Sequence, residues 1–294
     1  MKLLNTLGIV LVLILLIGCG SSGKGDAKTN FKVGSGELDI SFFTNAPPSK
    51  LYPQSNFKIV LEIQNNAAYD LTAGEISIVG LEPKYFDVSP QQQYFQVLEG
   101  KNLLNPSGGR EFIEFEGKTG QLFQNAQNYR GNYFLKTKYD SSLDFSDTIC
   151  LSPRLYDIYD SGCTPKEKKG YSGQGAPLGV TNVELVSYPI GAGAKIEFRV
   201  RLRNLGRGLV DHIQLKDAKL GGKDFETCEF QGPVIDSHQA LLSSDQQEVM
   251  LLCETTLGSG SSYETTLAFE FDYEYELREQ HNLLLVNPNV QSYW

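Results

Sequence analysis

Period-two alternation of apolar and polar positions dominates the chain from Glu37 onward. In residues 57–65, Phe57, Ile59, Leu61 and Ile63 alternate with Lys58, Val60, Glu62 and Gln64. Successive strand side chains point to opposite faces, so this run predicts a half-buried antiparallel strand. Comparable runs occupy 37–44, 71–80, 85–88, 94–98, 110–117, 132–140 and 144–153. The last two predict a hairpin turning at Ser141 and Ser142. A turn or short helix fits 122–126, the one stretch here without clear alternation. The same grammar returns at 179–189, 195–204, 209–222, 225–232, 247–257, 263–277 and 281–288. In 195–204 the inner row is Ile196, Phe198, Val200 and Leu202, and Asn204 falls where Asn65 does. No strong amphipathic helix occurs in either copy. Two copies of a many-stranded unit predict an all-β chain of two tandem immunoglobulin-like β-sandwiches, residues 37–153 and 179–290.

The stretches outside the alternation read differently. Lys2 is followed by an almost wholly apolar segment, 3–17, of about 15 residues, against the roughly 20 a helix needs to cross a bilayer. That shortness predicts a cleaved signal peptide, residues 1–18. Leu16-Ile17-Gly18-Cys19 resembles a lipobox, which makes Cys19 the lipid-attachment residue. A plain secretory signal and an uncleaved signal anchor are the alternatives. Residues 19–36 are small and polar and read as a flexible tether, and 154–178 as a linker between the sandwiches.

Net charge is −9, which argues against nucleic acid as a partner, because phosphate binding needs clustered Lys and Arg. Of five cysteines, Cys19 is assigned to lipid. Cys150, Cys163, Cys228 and Cys253 remain, an even set in an exported chain, as a disulfide framework requires. Four cysteines allow three connectivities; sequence neighbourhood favours Cys150–Cys163 and Cys228–Cys253, one pair in each half.

Candidate chemistry is sparse. His212, His238 and His281 stand far apart, with no metal-spaced partner. His238 adjoins Asp236 and Ser237, but triads are built by convergence in space. No catalytic residue, metal set or cofactor motif is predicted. Asp140, Asp144 and Asp147, with Asp157 and Asp160 nearby, form an oxygen-rich stretch of the type that holds Ca²⁺, although the spacing matches no calcium motif and solvated turn carboxylates give the same pattern. Tyr52, Tyr69, Tyr156, Tyr159, Tyr171, Tyr188, Tyr293 and Trp294 fall in loops or at the end of the chain. Exposed there, they would offer a surface for a protein or glycan partner; packed, they would only seat the loops.

FKIVLEIQNNAAYDL and KIEFRVRLRNLGRGLV resemble the cell-adhesion-related β-sandwich domains of bacterial and archaeal surface proteins. With YDSSLDFSDTICLSP and FDYEYELREQHNLLLV, the chain over about 37–290 resembles uncharacterised archaeal envelope lipoproteins. The resemblance implies immunoglobulin-like topology, a lipid-anchored position on the outer side of the cell membrane, and a binding or scaffolding role without catalysis. A structural subunit of a larger envelope assembly is the alternative. The two copies differ after the shared Asn: Ala67 and Ala68 stand where the second copy has Gly206 and Gly208, which leaves the first turn's type open. In immunoglobulin-like topology the second and sixth strands lie in different sheets. Lys195, Arg199, Arg201 and Arg203, with Glu197 among them, would then form one stripe, and Glu270, Asp272, Glu274 and Glu276 another, each a candidate contact surface; as neighbours in one sheet the two rows would instead form cross-strand ion pairs, and a solvated face is the plainer meaning.

Overall fold

The computed structural model describes residues 30–123, 126–154, 162–232 and 234–288. The predicted signal peptide, Cys19 and most of the tether lie outside the described residues. So do Tyr156, Asp157, Tyr159, Asp160, Tyr293 and Trp294. All described regular structure is β; at 122–126, where a turn or short helix was expected and residues 124 and 125 lie outside the described residues, Ala126 N donates to Phe123 O at 3.0 Å, as in a turn. Among the described residues no helix is long and apolar enough to cross a membrane.

The described residues form three antiparallel sheets. A four-stranded sheet runs β1 (Leu38–Phe42), β2 (Asn56–Asn65), β6 (Arg110–Thr119), β4 (Phe86–Val88). A five-stranded sheet runs β13 (Thr227–Gln231), β16 (Glu248–Leu257), β10 (Gly193–Asn204), β9 (Leu178–Ile190), β8 (Lys168–Gly170). The largest runs β14 (Val234–Asp236), β15 (Gln239–Leu241), β11 (Leu209–Leu220), β17 (Tyr263–Val286), β7 (Asn128–Leu151), β3 (Leu71–Val79), β5 (Gln92–Leu98), with β12 (Lys223–Asp224) hooked on β11. The alternating rows face inward as predicted. Phe57, Ile59, Leu61 and Ile63 of β2 and Ile196, Phe198, Val200 and Leu202 of β10 are all buried. Each such side chain contributes about 1.5–3 kcal/mol of burial free energy. The buried residues of the three sheets make one continuous core.

That continuity comes from β7 and β17. The hairpin predicted at Ser141 and Ser142 does not form; β7 runs straight through for 24 residues. Alternation is unbroken there, with Tyr139, Ser141 and Leu143 inward and Asp140 outward. Ser141 is tolerated inside because its hydroxyl donates to the Asp70 carbonyl at 2.9 Å. The predicted runs 263–277 and 281–288 likewise fuse into β17. The two long strands pair along their whole length, from Tyr263↔Leu151 to Val286↔Asn128. Their inner faces match aromatic to aromatic: Phe269 lies opposite Phe145, and Tyr275 opposite Tyr139. On the other side β3 pairs with the first half of β7, and β11 with the first half of β17. Each long strand's second half therefore completes the other repeat. The residues from Phe31 onward cluster as one compact unit.

Two expected connectors are built into this body. At the end of the predicted tether, Gly34 accepts from Gly175 N at 2.7 Å and Lys32 pairs with Asp144 at 2.6 Å. In the predicted linker, β8 joins β9, and Gln174, Ala176 and Leu178 are buried. Apolar residues there are packed because the sheet edges they meet would otherwise face water.

The turn left open after Asn65 is the same in both copies. Asn65 Oδ1 accepts from Ala67 N at 2.8 Å, and Asn204 Oδ1 accepts from Gly206 N at 3.0 Å. The asparagine makes the turn, an Asx-turn, so glycine is not required for it. Glycine is needed at 206 for a different reason: a Cβ there would lie 2.1 Å from the Tyr275 hydroxyl. Cys150 and Cys163 stand with Cα atoms 5.8 Å apart, and Cys228 and Cys253 face each other across β13 and β16 at 4.0 Å. Both favoured pairs are at disulfide distance.

Candidate functional site

Two β-bulges flank the β7–β17 seam. On β11, Val210 pairs with Tyr275 and Ile213 with Tyr273, so three steps on one strand oppose two on the other. A bulge re-aims side chains, and here Asp211 and His212 are both exposed although adjacent. On β3, Thr72 pairs with Asp140 and Glu75 with Lys138, again three steps against two. Ala73 sits at positive φ (49°), and Gly74 leaves space filled by the Phe95 ring. The repeats thus place Asp140 and Glu274 at corresponding positions, and these two residues are also cross-strand partners. Antiparallel pairing of corresponding strands makes a local two-fold axis, which passes between the two carboxylates.

A cleft of about 490 Å³ opens on that axis. Its lining holds Asp70, Asp140, Asp272 and Glu274, with His212 and hydroxyl or amide groups between them, and, among the described residues, contains no Lys or Arg. Ligand atoms of Asp211, His212 and Glu274 lie within 4.8 Å of one another. Like charges opposite one another on a sheet repel. Asp140 shows the consequence: burial, and then the charges of Glu274 and Asp272, hold its carboxyl above the usual aspartate range. Lys216 reaches Asp272 at 3.1 Å. Asp70 is held by Gly100 N at 2.8 Å.

The residues predicted as sites are distributed as follows. β10 and β17 do lie in different sheets. The basic row is nonetheless paired within its own sheet. Arg199 meets Glu197 at 2.6 Å, Arg201 meets Glu248 and Lys195 meets Glu254, each at 2.9 Å. Arg203 lies opposite Glu248 in register. β16 supplies acids to the same face, so β10 carries mixed charge and not a stripe of one sign. On β17 the acidic row divides: Glu276 is nearly buried among Lys136, Lys138 and Arg278, Asp272 and Glu274 line the cleft, and Glu270 remains exposed.

The oxygen-rich stretch considered for Ca²⁺ is not one cluster. Asp140 and Asp144 face outward on β7, and Asp144 is paired with Lys32. Asp147 is held by Lys169 and Tyr171, each at 2.5 Å. Burial would raise its carboxyl, but those two partners outweigh burial and lower it. Among the loop tyrosines, Tyr69 is buried with its hydroxyl on the Asp144 backbone, whereas Tyr52 and Tyr188 are exposed. His212, which has no metal-spaced partner in the chain, does have carboxylates near it in space, because register and not chain spacing brings Glu274 to it. The signal in the sequence was the adjacent polar pair Asp211-His212, which breaks the alternation of its strand.

No protein-family model matches the chain, and no curated protein matches it. Among solved structures, the E. coli chaperone DraB is matched at a TM-score of 0.21 and 12% identity, over 79% of this chain and 97% of that one. The Salmonella enterica SafA pilin in complex with the SafB chaperone gives 0.21 and 9%, over 79% and 98%. The secreted serine protease VesC from Vibrio cholerae gives 0.22 and 11%, over 83% and 51%. Likenesses at these scores carry no functional argument. The fold class is given by the structure itself: an all-β protein of stacked antiparallel sheets, a β-sandwich of immunoglobulin-like type.

Proposed function

We propose that the chain is a lipid-anchored, extracytoplasmic recognition module without catalytic activity, and that its cleft receives a cationic group of a surface partner. The observation that carries this reading is the cleft: four carboxylates and a histidine in its lining, no lysine or arginine among the described residues that line it, and one carboxyl already disfavoured in its ionised form. An arriving cation relieves that repulsion. The lipobox at Cys19 supports the anchored position, and two cysteine pairs at disulfide distance suit an oxidising compartment.

The test is titration of the full chain in detergent with an arginine-rich peptide, with Ca²⁺ and Zn²⁺ as competitors. The parent protein should bind the peptide in a salt-sensitive manner. An Asp140→Asn, Glu274→Gln double variant should bind at least about tenfold more weakly, equivalent to about 1.4 kcal/mol. Equal binding by the two proteins, or no binding by the parent, sinks the reading. Folding of the variant has its own readout. A carboxyl whose folded-state pKa is raised penalises the fold once ionised, so Asp140→Asn should be at least as stable as the parent at neutral pH. That advantage should vanish as pH falls below about 3.9, the unfolded aspartate value.

A further inference from the structure

The loop between β5 and β6 holds two consecutive leucines in solvent. Leu103 is 71% exposed and Leu104 98%. Single exposed apolar residues are ordinary on protein surfaces, but this pair is held out by a braced loop. Asn102 Oδ1 accepts from Leu104 N and Asn105 N, both at 2.8 Å. Gly108 N donates to Asn105 O at 3.1 Å, and Gln64 Nε2 to Ser107 O at 2.7 Å. The loop is thus ordered by polar bonds at its base and neck, and none of them draws the leucines inward.

Its position matters more than its shape. Lys101 N donates to Ala67 O at 2.8 Å, Ala68 N to Gly175 O at 2.7 Å, and Gly175 N to Gly34 O at 2.7 Å. Three hydrogen bonds therefore connect the leucine loop to the segment by which the chain enters the fold. Val33, next to Gly34, is itself 54% exposed. Eleven residues lie between Cys19 and Phe31, and the twelve steps from one to the other span at most about 43 Å. A lipid on Cys19 keeps this end of the body within that distance of the bilayer.

We infer that Leu103 and Leu104 dock in the same bilayer that holds the Cys19 lipid, so that the protein has two points of membrane contact and a fixed orientation. This rests on the lipoprotein reading above. β11 begins beside the entry segment, where Arg207 N donates to Glu37 Oε2 at 3.1 Å, and its 12 residues extend roughly 40 Å from there at 3.3 Å per residue, so two contacts at this end would turn the far end of β11 toward the medium.

The test uses the full lipidated chain in phosphatidylcholine vesicles whose acyl chains carry a fluorescence quencher. An environment-sensitive fluorophore is attached at Leu104→Cys, and, in a second preparation, at Lys223→Cys in the exposed turn at the far end of β11. The expected result is blue-shifted emission at 104 that the lipid-borne quencher reduces severalfold, with neither effect at 223. If the protein floats with the vesicles while the probe at 104 behaves like that at 223, the docking inference is wrong and the anchor stands. Blue-shifted emission that the lipid-borne quencher leaves unchanged would mean that protein covers the loop, and would also overturn it. Failure to float would remove the anchor and the docking together.

Discussion

Cys19→Ser should move the protein from the membrane fraction to the soluble fraction, with the folded body unchanged. A diacylglyceryl cysteine carries two acyl chains, each worth about 0.8 kcal/mol per buried CH₂, and stable anchoring takes two chains or their equivalent. Nothing else in the proposed account replaces that energy. Leu103 and Leu104, fully buried in lipid, would together supply about 3–6 kcal/mol, less than two acyl chains. The body should stay intact because its core and both cysteine pairs lie beyond residue 31. Fractionation and intact mass of the parent and variant give the readout: the parent should sediment with membranes and carry the added lipid mass. A variant that stays in the membrane fraction would mean that residues 3–17 act as an uncleaved anchor and that Cys19 carries no lipid.

Phe269→Ala should destabilise the whole body by about 3–5 kcal/mol, the usual cost of deleting a large buried aromatic. Against a typical total of about 5–15 kcal/mol, that is a large fraction. Phe269 is 1% exposed and lies on the seam, stacked near Phe145 at 6.1 Å and Phe225 at 6.0 Å. Phe145 belongs to the first repeat's long strand, so the cavity opens between the repeats and neither can relax into it alone. The loss should appear in both halves together. Hydrogen exchange in denaturant should show β2 and β6 losing protection at the same concentration as β10 and β16. Loss confined to β10 and β16 would mean that the repeats unfold independently.

Much of the fold was legible because strand burial is written locally. The rows of β2, β10 and β6 alternate in sequence as they do in space, and the match of Asn65 to Asn204 reflects one turn chemistry used twice. The cysteine pairs followed from proximity in the chain. What the sequence hid depends on partners. Ser141-Ser142 looks like a turn until a 24-residue partner is present, and only pairing shows that each long strand completes the other repeat. The cleft was hidden for the same reason. Asp140 was visible as a turn carboxylate, Glu274 as part of a strand row and His212 as isolated; register alone puts them on one axis. The basic row of β10 is neutralised partly from within, by Glu197, and partly by Glu248 and Glu254 of β16, about fifty residues further along, which only strand pairing brings beside it.

If the seam cleft is the recognition surface, photocrosslinking on intact cells should capture the partner there. A photoreactive residue would replace Gln214, which lines the cleft, or Arg201 on the outer face of β10 as a control. A discrete crosslinked species should form from position 214 and disappear when Asp140→Asn and Glu274→Gln are added, with none from position 201. Crosslinks from position 201 and none from position 214 would contradict recognition at the cleft.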